Sequence, residues 1–126
     1  PRGALSPLLA LMRAARADLE AQALACAALR ALADGGAARA KALVREGGVK
    51  ALLFAVRTHI KSALVCAPAL RALRCCAAVN DKVVAILVRD GAVVTEAAGA
   101  ASSRMFLMYF FSSLYWMKKG AQSLSA

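Results

Sequence analysis

Aromatic side chains are nearly missing from the first hundred residues, where Phe54 is the single one before position 106. That leaves little surface on which nucleobases stack, so a nucleic-acid reading has to rest on charge alone. Histidine occurs once. His59 sits in the basic run Arg57-Thr58-His59-Ile60-Lys61, and with no second histidine it anchors neither a metal nor a proton relay, so it reads as a solvent-facing loop residue. Acid is scarce too, seven carboxylates against 17 Lys and Arg. The few carboxylates are scattered at expected helix starts and ends, which is the capping habit and not a catalytic cluster. No apolar run reaches the roughly 18 to 20 residues of a membrane span before Arg or Lys breaks it, and the mean hydropathy of +0.60 owes much to Ala. The four cysteines, Cys26, Cys66, Cys75 and Cys76, lack a C-x2-C spacing and read as small buried residues in a reducing compartment, cytoplasmic or nuclear. No secretory signal is visible at the start. No enzyme activity, metal or cofactor is expected.

What the chain has is Ala and Leu, punctuated by Gly, a composition that favours helix over strand. It also has an internal repeat. Leu43-Val44-Arg45-Glu46-Gly47-Gly48-Val49 recurs as Leu87-Val88-Arg89-Asp90-Gly91-Ala92-Val93, an offset of 44. Read backwards from Gly47, the same offset reaches Gly3, so Gly3, Gly47 and Gly91 mark three repeat boundaries. A second match, Ala-Leu-Arg-Ala-Leu at 28–32 and 69–73, has an offset of 41, which places length variation in the loops.

Stop signals divide the units into helices. Ser6 to Arg16, with Ser6 as N-cap and Pro7 at the first helical position, is followed by Asp18 to Ala33, ended by Asp34-Gly35-Gly36. Ala37 to Glu46 ends where Gly47-Gly48 can turn left-handed. Val49 to Thr58 and Ser62 to Ala77 follow, with a kink or a late start expected near Ala67 because of Pro68. A third unit starts from 91 and degenerates, Glu96 standing where Leu8 and Leu52 stand in the first two.

The Gly-Gly-Val-x-x-Leu-Leu element at 47–53 and Ala-Leu-Arg-x-Leu at 28–32 and 69–73 resemble the armadillo repeat family over residues 3–95, with HEAT repeats as the neighbouring possibility. The resemblance implies an all-α fold, a right-handed α-solenoid in which units 3–46, 47–90 and a degenerate third from 91 share one apolar core. The truncated pattern at both ends suggests a window on a longer array, with further repeats in the same chain.

Residues 96–126 depart from this pattern. Apart from Phe54, every aromatic lies between 106 and 116. Three readings stay open for this tail. Its aromatics pack on the open end of the solenoid, or it lies on a membrane surface through 105–119 with Trp116 and Lys118-Lys119 at the headgroups, or it is a truncated or mis-spliced end.

For function, the resemblance points to a protein-interaction scaffold that binds along the concave face. Armadillo proteins that hold extended peptides carry Asn near the end of the long helix, with Trp one turn earlier in the importin-alpha type. Here Ala31 and Ala72 stand at the Asn position, and Ala27 and Pro68 at the Trp position, so nuclear-import cargo recognition is not expected. What repeats is basic: Arg30 with Arg71, Arg13 with Arg57, and Arg45 with Arg89. Arg45 and Arg89 suit helix C-termini without any ligand. Arg30 and Arg71 flank the expected groove, and the partner expected is an acidic or amphipathic protein segment. The alternatives are a nucleic-acid-binding repeat and a membrane-peripheral scaffold.

Overall fold

A computed structural model describes residues 2–98, 107–108, 110–114 and 116. They are all-helical, with no strand among the described residues. Six helices follow one another: α1 (Arg2–Ala14), α2 (Leu19–Asp34), α3 (Ala37–Arg45), α4 (Gly48–Thr58), α5 (Ala63–Val79) and α6 (Asp81–Ala98). Residues 107–108, 110–114 and 116 are helical as well.

Local chemistry places most of the boundaries. Asp18 caps α2, its side chain accepting a hydrogen bond from the Ala21 amide at 3.1 Å, and Glu20 in the first turn suits the positive end of the helix dipole. The corner between α3 and α4 is made by two glycines with different tasks. Gly47 takes the left-handed conformation at φ 84°, which L side chains rarely adopt. Gly48 is helical but has no room for a side chain: a Cβ there would overlap the Leu43 side chain, with Cγ at 2.7 Å, and lie 2.9 Å from the Leu43 carbonyl oxygen.

The turn expected at Gly91 does not form. At the 44-residue offset Gly48 corresponds to Ala92, and Ala favours helix over Gly by about 1 kcal/mol. The chain keeps its helical path there, and α6 runs unbroken from Asp81 to Ala98. Gly91 lies inside that helix, at a propensity cost of about 1 kcal/mol relative to Ala. The start of the third unit is therefore the middle of a helix. Gly3 likewise lies within α1, which begins at Arg2 and carries Pro7 internally in place of the expected start at Ser6 and Pro7. Pro68 neither delays nor ends α5, which starts at Ala63, five residues earlier. Its ring still removes the N–H that would bond the Leu64 carbonyl.

Two of the three helix pairs that correspond across the repeat lie against each other. α2 packs on α5 in the most extensive interhelical contact, and α1 packs on α4. Within each unit α1 contacts α2 and α4 contacts α5, while α3 and α6 both pack against α5. The core runs through the middle of this arrangement, with Leu29, Leu43, Leu52, Leu70, Leu73 and Leu87 essentially inaccessible. Truncating any of them to Ala costs about 2–5 kcal/mol on the usual scale of cavity mutations. Leu107, Phe110, Phe111 and Leu114 join the same core. Their spacing of i, i+3, i+4, i+7 is one face of a helix. At these residues the tail packs on the core; Lys118 and Lys119 lie outside the described set.

Burial also fixes the internal register. N-caps fall at Asp18 and Ser62, and along α2 and α5 buried positions coincide at an offset of 44: Ala25 with Ala69, Cys26 with Leu70, Leu29 with Leu73, Ala33 with Ala77. The identical pentapeptides at 28–32 and 69–73 are thus out of register by three residues. Ala31 is exposed whereas Ala72 is fully buried. Arg30 corresponds to Arg74, not to Arg71. Ala-Leu-Arg-Ala-Leu is compatible with any face of a helix in which Ala and Leu fill both core and surface, so its recurrence carried no register.

Candidate functional site

The expected site residues fall into two separate places. Arg30 and Arg71, though out of register, do come together, because both reach Asp34 at the end of α2: Arg71 Nε lies 3.5 Å from Oδ1 and Arg30 Nε 3.7 Å from Oδ2. The Cys75 thiol donates to the same carboxylate at 3.2 Å. These donors hold the Asp34 carboxyl below its ordinary range, the thiol hydrogen bond contributing most and the Arg71 and Arg30 charges adding to it. The Cys75 thiol is pushed up in turn, by burial first and by the neighbouring carboxylate second. On this side of the molecule Arg30, Arg71 and Arg74 border a shallow groove with Ala27, Pro68, Leu70 and, from the C-terminal segment, Phe110. Two of its three guanidiniums are already paired. Ala31 and Ala72 do not face it together, since Ala72 is buried in the core.

Arg13 and Arg57 meet in a second and larger groove of 870 Å³ between α1, α4 and α6. Its apolar floor comes from Leu53, Phe54, Val83 and Ile86. Around it stand Arg13, Arg16, Lys50, Arg57, Lys82 and Arg89, against the single carboxylate of Asp90. Asp90 is shared: Arg57 approaches it at 3.4 Å and Arg89 at 3.3 Å. Arg13, Arg16, Lys50 and Lys82 have no carboxylate partner among the described residues. The Arg16 guanidinium instead lies over the Phe54 ring, 4.7 Å from its centroid, an attraction of about 0.5–1 kcal/mol at an exposed site. Six cations against one carboxylate leave the groove positive on balance, an attraction for acidic groups that physiological salt screens over about 8 Å.

Helix ends set this geometry. Arg13 lies in the last turn of α1 and Arg57 in the last turn of α4, 44 residues apart, so the packing of α1 on α4 brings them side by side. The loops that follow are tied together: the His59 Nε2–H donates to the Arg16 carbonyl oxygen at 2.9 Å, which makes His59 a half-buried bridge and not a free loop residue. Arg45 is exposed at the end of α3 and lines neither groove, while its counterpart Arg89 lines the larger one. Arg16, Lys50, Lys82 and Phe54 were not expected at a site. They come from the turn after α1 and from α4 and α6, distant in sequence, and no spacing marks them in advance.

Compared with known proteins, the chain matches no family model, no curated protein and no solved structure. No helix among the described residues is long and apolar enough to cross a membrane.

Proposed function

We propose that this chain is a non-catalytic binding scaffold of stacked armadillo-like helical units that takes an acidic, amphipathic protein segment into the groove between α1, α4 and α6. The observation that carries the reading is the lining of that groove, six cations and one carboxylate around an apolar floor. An amphipathic helix or extended segment with Asp or Glu on its edges and Leu-type residues on its face matches both parts. The solenoid part of the reading is supported by the side-by-side packing of α1 on α4 and α2 on α5 and by their shared 44-residue register. The Arg30 and Arg71 side is the weaker place to bind, because Asp34 already holds both guanidiniums.

A fluorescent synthetic peptide of alternating Glu-rich and Leu-rich faces, followed by anisotropy, tests this. Binding should weaken at least tenfold, about 1.4 kcal/mol, when Lys50 and Lys82 are both reversed to Glu. It should change little when Arg30 and Arg71 are reversed. A single-stranded oligonucleotide of equal charge is the competing probe. If it binds more tightly than the peptide, with a steep salt dependence, the groove is a nucleic-acid site and the proposal is overturned. The membrane alternative has less support, since Leu107, Phe110, Phe111 and Leu114, the apolar face it would use, belong to the core.

A further inference from the structure

Among the described residues, Arg16 is the one groove cation whose charged group is held in place without being neutralised. Its guanidinium lies over the Phe54 ring, 4.7 Å from the centroid. Its main chain, in the turn after α1, is tied down as well, the carbonyl oxygen accepting from the His59 Nε2–H at 2.9 Å. His59 is itself fixed: its amide donates to the Ala55 carbonyl at 3.0 Å, and its own carbonyl accepts from the Ser62 amide at 2.9 Å. The other cations differ. Arg57 and Arg89 are engaged by Asp90, while Arg13, Lys50 and Lys82 have neither a carboxylate nor a ring against them among the described residues. The repeat does not dictate this arrangement, because 44 residues away Arg16 corresponds to Ile60, Phe54 to Ala10 and His59 to Ala15.

We infer that Arg16 is the specificity-determining residue of this groove, the guanidinium on which a carboxylate of the bound segment seats; the inference rests on the groove being the binding site. A guanidinium is a planar fork of N–H donors that fits the two oxygens of a carboxylate, which an ammonium cannot do. Long, unrestrained side chains such as Lys50 and Lys82 lose rotamer freedom when a ligand orders them. Arg16 has part of that ordering done in advance by the ring and by the His59 bond, so more of its attraction appears as affinity. Phe54 also belongs to the apolar floor. The same contact therefore sets the charged group beside the surface that takes the segment's apolar face, and Phe54 and His59 act as positioning residues.

Anisotropy of the same Glu- and Leu-faced fluorescent peptide reads this role through substitutions that keep the net charge. Arg16→Lys should weaken binding about five- to tenfold, because the fork and its seat on the ring are lost together. Arg13→Lys, the same change at a guanidinium with no ring against it, should alter binding less than about twofold. Phe54→Leu keeps an apolar floor and removes the ring, and should weaken binding about threefold. Phe54→Tyr restores the ring and should bind as the unaltered chain does. Arg16 is exposed and Phe54 is 42% exposed, so none of these changes opens the core, and unchanged far-ultraviolet circular dichroism checks that. Equal binding by Arg16→Lys and the unaltered chain overturns the inference and leaves the groove a diffuse cationic site. An equal loss in Arg13→Lys does the same. A peptide that binds neither the unaltered chain nor any variant overturns the groove reading and this inference with it.

Discussion

Gln22 and Cys66, 44 residues apart, perform the same task on corresponding atoms. The Gln22 side-chain amide donates to the carbonyls of Met12 at 3.1 Å and Ala15 at 2.9 Å. The Cys66 thiol faces the carbonyls of Val56 at 4.0 Å and His59 at 3.4 Å, which are the same two positions one unit later. In both units a side chain from the second helix donates to carbonyls at the end of the first helix, the later of which, Ala15 or His59, also accepts a backbone bond from Asp18 or Ser62.

The two are unequal in strength, because an amide is a good donor and a thiol a weak one. Gln22→Met keeps the volume and removes two side-chain hydrogen bonds to main-chain carbonyls, and should destabilise by about 1–3 kcal/mol. Cys66→Ala should act mainly through the small cavity it opens. Urea midpoints of the two variants, at unchanged m-value, measure both, and a neutral Gln22→Met would show that the amide caps nothing.

Burial pushes three thiols upward, Cys26 and Cys76 to about 12 and Cys66 to about 11. In the unfolded chain these groups ionise near 9.0, the ordinary value of a cysteine thiol. Their contribution is fully present below that pH. As pH rises from there towards the folded values, the unfolded state holds fewer protons than the native one, so stability falls, by up to about 1.4 kcal/mol per pH unit for each thiol. Thermal melts between pH 8 and 11 should decline more gently in a Cys26→Ala, Cys76→Ala variant. In the native protein a thiol reagent at pH 8 should modify Cys75 first and the other three only on unfolding.

The C-terminal segment divides into a face that stabilises and a face that does not. Phe110 and Phe111 meet edge to face with centroids 5.1 Å apart and belong to the core, whereas Trp116 is 68% exposed. Phe111→Ala should cost about 3–5 kcal/mol and Trp116→Ala less than about 0.5 kcal/mol. Equal effects in denaturant titrations would mean that the segment does not pack as described.

Gly48→Ala places a methyl group against the Leu43 side chain and carbonyl. Overpacking of this kind should cost about 1–3 kcal/mol. Leu43→Ala should relieve the side-chain part of the clash, so a double-mutant cycle between the two positions is expected to show coupling. Additive effects would remove the contact from the explanation of the corner.

Much of the helical layout was legible because its signals are local. Asp18, Ser62, Gly35-Gly36 and Gly47-Gly48 mark helix limits through caps and turns that involve only a few neighbours. Proximity of Arg13 and Arg57 was legible too, since equal places in adjoining units fall side by side. The straight path through Gly91 was not, because residues 87–91 follow the same Leu-Val-Arg-acid-Gly order as the corner at 43–47. Nor was the correct partner of Arg30, as Ala and Leu serve both interior and surface here and an identical pentapeptide says nothing about which way it faces. The periodicity of Leu107, Phe110, Phe111 and Leu114 was present in the sequence but masked by the exposed Met108 and Trp116 among them. Arg16, Lys50 and Lys82 converge only through tertiary packing, and that lies beyond any reading of spacing.

The pair formed by Gly48 and Ala92 has a consequence for growth of the array. Two tracts of nearly the same wording, 43–49 and 87–93, end as a bent joint in one case and a straight rod in the other, with Glu46 and Gly48 of the first replaced by Asp90 and Ala92 in the second. Lengthening this molecule by another unit would then begin with glycine at position 92, since it is the hinge, and not the supply of further helices, that decides where the chain can double back.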